Sequence, residues 1–135
     1  MGGYGALRTA LGHPNLYARV FGISSITEIL PLYDKEEFKD RAEMLFGSKE
    51  TAIKSGAELY AQVGRLRDIQ AKLPKTFLIG GLSDALCPQS ERMADALKQA
   101  GGTVRLKRMD GKHDWNFGDL AIQDVLKWLF EEEEK

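Results

Sequence analysis

Lys75-Thr76-Phe77-Leu78-Ile79-Gly80-Gly81-Leu82-Ser83-Asp84 is the stretch whose reading decides the fold. Its run from Thr76 to Gly81 carries no charge and does not alternate polar with apolar. A strand wet on one face alternates, and a strand covered on both faces does not. The run therefore predicts a central, buried parallel strand that ends in glycine. Pro88 then stands where a helix can begin. Met93, Ala96, Leu97 and Ala100 supply that helix with an inner face, and Gly101-Gly102 stops it. Thr103 to Met109 sets Val104 and Leu106 among basic residues, the pattern of a half-exposed strand near a sheet edge. Asp110-Gly111 is a turn. A last helix is predicted with Leu120, Val125, Leu126, Leu129 and Phe130 as its apolar side, and the acidic tail from Glu131 to Glu134 lies in solvent.

Upstream, residues 1 to 12 read as a helix with Tyr4, Leu7 and Leu11 on one face. Gly2, Gly3 and Gly5 disfavour a helix, and close approach to a sheet is the expected reason. Gly12-His13-Pro14 ends the element. His13 there reads as a helix-end cation. Arg19 to Ser25 reads as a short buried strand. Residues 26 to 70 form a long, largely helical insertion, either a lid or a packed connection. Asp34 with Glu37 suggests a capping box. Phe38, Ala42 and Leu45 form a stripe that Gly47 ends, Ser48 starts a short helix, and Leu59, Val63 and Leu66 mark another. Strands that alternate with helices in this way give an α/β fold of three layers, with a short parallel sheet of about three strands. The expected organisation is one domain over residues 1 to 135.

Composition narrows the function classes. Lys plus Arg number 19 against 20 Asp plus Glu, which offers no electrostatic footing for nucleic acid or a membrane surface. No apolar run is long enough to span a bilayer. The lone Cys87 excludes an internal disulfide framework and reads as a reduced, partly buried thiol. These features fit a cytoplasmic protein. No pattern calls for a metal or another cofactor.

In a parallel sheet of this kind, ligand chemistry gathers at the carboxyl ends of the strands. Asp84 follows the strand ending at Gly81, and His113 follows the next strand. Both fall on the same edge of the sheet. A carboxylate there can fix the tautomer of an imidazole, which then takes a proton from a nucleophile. Singly, each residue has a plain structural reading, as a turn or surface residue. Together they form two parts of a triad in the chain order nucleophile, Asp, His. The opening Met1-Gly2-Gly3-Tyr4-Gly5-Ala6-Leu7 reads as the continuation of a G-x-S-x-G turn, beginning one residue past its serine. Ser83 in Gly81-Leu82-Ser83-Asp84-Ala85 is a weaker elbow, because Pro88 delays the helix. Ser24 and Ser25 lack the glycine frame.

The pieces MGGYGAL, GGLSDAL and GKHDWNFGD resemble the C-terminal half of the esterase D and tributyrin-esterase-like group of α/β hydrolases. The likeness runs along essentially the whole chain, but residues 26 to 70 match only in character. It implies Asp84 as triad acid, His113 as base and Trp115 as a wall of the substrate site. It implies hydrolysis of short-chain carboxylic esters through an acyl-serine intermediate. The serine would stand just before Met1, and Met1 would supply a backbone oxyanion donor. As a chain start, Met1 carries an amine rather than an amide. The chain as given is therefore expected to be inactive. The other reading is a self-contained, non-catalytic interaction or scaffold domain. The strand that leads into the serine would pair beside Arg19 to Ser25. Without it that edge is open, and a homodimer or larger assembly through this edge or the first helix is expected.

Overall fold

The computed structural model describes residues 1–131. Helix α1 (Gly2–Gly12) leads to strand β1 (Arg19–Ile23). A 3-10 turn (Leu30–Asp34) and helices α2 (Glu36–Phe46), α3 (Lys49–Ser55) and α4 (Leu59–Asp68) follow. Then come β2 (Lys75–Gly81), α5 (Cys87–Gln99), β3 (Val104–Met109) and α6 (Trp115–Leu129). The strands form one parallel sheet in the order β1-β2-β3. The central position of β2 agrees with its unbroken burial from Thr76 to Gly81. Strand β3 is half-exposed along its length, as its interleaved basic residues require.

The two faces of the sheet are covered unequally. One core gathers Leu7 and Leu11 of α1, Leu78 of β2, and Met93 and Leu97 of α5. Ile29, Phe46, Leu59, Val63 and Leu66 from the 26–70 segment join that same core. The other core is smaller and lies under α6, where Phe77 and Ile79 meet Phe117, Val125 and Trp128. Phe77 and Trp128 pack edge to face with ring centres 5.4 Å apart.

Several local expectations change. Strand β1 ends at Ile23 and not Ser25, because Ser24 takes a left-handed φ of 53°. No capping box forms at Asp34; Lys35 is the N-cap of α2 without a side-chain bond, and Asp34 pairs with Lys49 at 3.2 Å. Phe46 takes the inward place expected of Leu45. On α6 the buried residues are Phe117, Ala121, Val125 and Trp128, while Leu120, Leu126 and Phe130 are exposed. Val125 holds its expected inward place and Leu129 packs partly buried against the core, but the other three expected residues lie outward. Of the three early glycines, only Gly3 is held by close approach. A Cβ on it would stand 2.7 Å from Ser25 Cβ, whereas at Gly2 or Gly5 it would meet nothing within 4 Å. Glu131 pairs with Arg105 at 3.1 Å, and the rest of the acidic tail lies outside the described residues.

Long-range polar bonds hold α1 in place. The buried Tyr4 hydroxyl donates to the Ala57 carbonyl at 2.6 Å, tying α1 to the turn before α4. Replacing Tyr4 with Phe strands that carbonyl, and we expect a loss of about 1–2 kcal/mol in urea unfolding. An unchanged midpoint would show that the bond contributes nothing net. No helix among the described residues is long and apolar enough to cross a membrane.

Candidate active site at the carboxyl edge of the sheet

The loops after β2 and β3 are stitched together by backbone. The parallel register runs to Gly81 opposite Met109. Beyond it, the Leu82 N–H donates to Met109 O and the Ser83 N–H donates to Gly111 O, both at 2.9 Å. The two loops therefore keep a fixed separation before any side chain is considered. A tight turn carries Asp84 inward, with its N–H on Gly81 O at 3.0 Å. One carboxylate oxygen, Oδ1, accepts the Leu86 N–H at 2.9 Å. The other, Oδ2, meets His113 Nδ1 at 2.9 Å.

His113 precedes the N-cap of α6. Asp114 fills that cap, accepting the Phe117 N–H at 2.9 Å through its side chain. The Phe117 ring packs against Gly111 and Gly81, which bring the two loops together. The Asp84 side chain is 3% exposed and that of His113 is 60% exposed. A buried carboxylate with both oxygens hydrogen-bonded and an open imidazole make an oriented proton acceptor. With Nδ1–H donated to Asp84, Nε2 keeps its lone pair for a proton arriving from solvent or substrate.

The N-terminus of α1 lies on the same edge. Gly3 rests against Ser25, which follows the carboxyl end of β1. Met1 is the N-cap of α1, and its carbonyl accepts the Gly5 N–H at 2.9 Å. The sheet order thus sets α1's start beyond β1, Asp84 beyond β2 and His113 beyond β3. Trp115, the first residue of α6, is 89% exposed and belongs to neither core. Ser83 sits in an exposed turn, and among the described residues its hydroxyl makes no bond to His113. Burial and the neighbouring Glu91 push the Cys87 thiol up, away from a reactive thiolate. No group of three or more possible metal ligands occurs among the described residues.

One tie had no signal in the sequence. Gln89 Oε1 accepts the backbone N–H of Thr27 at 2.8 Å and of Glu28 at 3.1 Å. The Thr27 hydroxyl donates to the Gln89 carbonyl at 3.1 Å and shares a 2.8 Å bond with the Tyr60 hydroxyl. Burial pushes Tyr60 up to about 12, so its phenol stays neutral in this tie. The segment beside Ser25 is thereby fastened to α5, the helix that follows Asp84. A glutamine's partners over 60 residues away leave no local pattern to read.

The sequence profile of the esterase family matches residues 1–126. The chain belongs to this esterase family. It is 26% identical to an acetyl esterase of Caldicellulosiruptor saccharolyticus, over 96% of this chain and 51% of that protein. Among solved structures, it resembles the S-formylglutathione hydrolase of Staphylococcus aureus, with a TM-score of 0.79 and 24% identity. That match covers 97% of this chain and 52% of the other. The fluorophosphonate-binding serine hydrolase F of Staphylococcus aureus gives a TM-score of 0.82 at 22% identity, over 97% and 51% of the two chains. The chain thus spans about half the length of the relatives it matches. The fold is that of the α/β-hydrolase esterases, with three parallel strands between helices. The family match does not favour the reading as a non-catalytic interaction domain.

Proposed function

We propose that this chain carries the acid and base of a serine carboxylesterase acting on short-chain esters. The carrying observation is the 2.9 Å bond between the buried Asp84 and the open His113, on loops fixed to each other by backbone. The serine belongs immediately ahead of Met1, in polypeptide continuous with α1. His113 Nε2 takes the serine proton as the serine oxygen attacks the ester carbonyl carbon. Asp84 holds the imidazole upright and stabilises the imidazolium that results. The proton then passes to the departing alcohol, leaving an acyl-serine. Water, deprotonated by the same Nε2, releases the acid and restores the serine. Within a continuous chain the Met1 nitrogen is an amide N–H, at the place where an oxyanion donor is needed. Trp115 offers an aromatic surface beside this path for the acyl or alcohol group. The matched acetyl esterase supports a small acyl group as substrate.

The 135-residue chain alone should hydrolyse p-nitrophenyl acetate no faster than free imidazole at the same concentration. Turnover at enzymic rates that vanished in His113→Ala would place a nucleophile within residues 1–135 and refute the assignment ahead of Met1.

A further inference from the structure

We propose, on the footing of the serine-carboxylesterase reading, that Gln89 is a positioning residue: it sets the start of α1, where the nucleophile belongs, against the Asp84–His113 pair. The sheet alone cannot do this. The last backbone bond between the β1 and β2 segments runs from the Ser24 N–H to Ile79 O at 2.9 Å. Ser24 then turns the chain away with its left-handed φ. Among the described residues, no backbone bond joins residues 25–29 to the loop after β2. This stretch is neither helix nor strand. Yet the start of α1 rests on it, through Gly3 against Ser25.

Gln89 supplies the link. It sits in the first turn of α5 beside Pro88, whose ring stiffens that turn. The same turn holds the acid. The Cys87 N–H donates to Asp84 O at 3.0 Å, the Leu86 N–H to Asp84 Oδ1 at 2.9 Å, and the Gln89 N–H to Leu86 O at 2.9 Å. Asp84 and Gln89 therefore move as one body. From that body a single oxygen, Gln89 Oε1, accepts both the Thr27 and the Glu28 N–H, which uses both of its lone pairs. Helix α1 reaches Thr27 by a second route. Tyr4 donates to the Ala57 carbonyl, Gln62 of α4 donates to the Leu11 carbonyl, and Tyr60 of α4 bonds the Thr27 hydroxyl. Among the described residues α1 and α5 share no hydrogen bond, so both polar routes cross to the acid at Thr27 and Gln89. Core packing keeps the two helices in one layer, and directional bonds fix where each one starts. Thr27 is fully buried, so water cannot replace an acceptor that Gln89 loses. Arg92 of α5 also pairs with Glu28, but its side chain is 55% exposed, and an exposed pair holds weakly in water.

Two variants test this. Gln89→Leu keeps the bulk and removes the acceptor, and Gln89→Glu restores an acceptor. In the 135-residue chain, Gln89→Leu should speed amide hydrogen exchange at Thr27 and Glu28 about tenfold. It should leave the proton resonance of His113 Nδ1 in place. Gln89→Glu should keep the exchange slow. In the continuous enzyme, Gln89→Leu should lower kcat about 10–100-fold, the cost of a misplacement of about 1 Å. KM should change less than about twofold, because substrate contacts are untouched. Gln89→Glu should regain most of the rate. Wild-type exchange at Thr27 and Glu28 in Gln89→Leu overturns the proposal. So does a Gln89→Leu enzyme with wild-type kcat where His113→Ala abolishes turnover, or a Gln89→Glu enzyme as slow as Gln89→Leu. Loss of the His113 resonance in Gln89→Leu overturns it too, since the variant would then have damaged the pair itself and not its distance from α1. A continuous enzyme without turnover, or with turnover indifferent to His113→Ala, refutes the serine-esterase reading, and the positioning role falls with it.

Discussion

Asp84→Asn should lower kcat about 10⁴-fold in the continuous enzyme, that is, with a serine supplied ahead of Met1. The substitution keeps the shape of the side chain and removes its charge. An amide nitrogen at Oδ2 would face Nδ1 as a donor and select the tautomer with Nδ1 unprotonated. Nε2 would then carry the proton and could not accept one from the serine. The Leu86 N–H bond to Oδ1 can persist, so the turn should hold its form. His113→Ala removes the acceptor itself and should cost more, on the order of 10⁶-fold. The two changes act on one unit, so the double variant should be no slower than His113→Ala alone. Equal and additive losses would show that the two residues work separately. The isolated chain offers a check that needs no nucleophile. The Nδ1 proton should give a strongly downfield resonance in proton NMR, absent in Asp84→Asn and present in Leu82→Ala.

How much of this was legible in the sequence depends on how local the cause is. Strand β2 was readable because burial on both faces leaves an unbroken apolar run. The pairing of Asp84 with His113 was readable at one remove, since successive parallel strands deliver their following loops to one edge. The flanks of α6 were not readable. Leu120 and Leu126 are as apolar as Val125, and only the position of the sheet decides which of them is covered. The end of β1 at Ile23 was hidden because Ser24 adopts a left-handed φ that serine seldom takes. The Gln89 tie was hidden because its partners are 61 and 62 residues away. Glycine gave a mixed signal, since Gly3 is required by close packing while Gly2 and Gly5 are not.

Gly81 shows how such a requirement bears on the site. A Cβ there would lie 2.6 Å from Gly111 O and 3.0 Å from Gly111 C. Both atoms are backbone, so no rotamer change relieves the clash. The Phe117 ring closes the remaining side at 3.4 Å. Gly111 cannot yield easily either, because its carbonyl accepts the Ser83 N–H and its φ is 143°. Gly81→Val should therefore push the β3 loop outward, break the Ser83 bond and separate Asp84 from His113. Overpacking of this kind costs about 1–3 kcal/mol, and the loss of the stitched bond adds about 1 more. In urea unfolding the midpoint should fall accordingly. The downfield imidazole resonance should vanish under conditions where the variant is still folded. Gly118→Ala is the matched control, because a side chain there meets nothing within 4 Å and the site lies inside α6. It should raise stability by about 0.5–1 kcal/mol and leave the resonance in place. If Gly81→Val keeps both the wild-type midpoint and the resonance, the loops do not depend on this approach. The Asp84–His113 distance would then be set by the side chains alone.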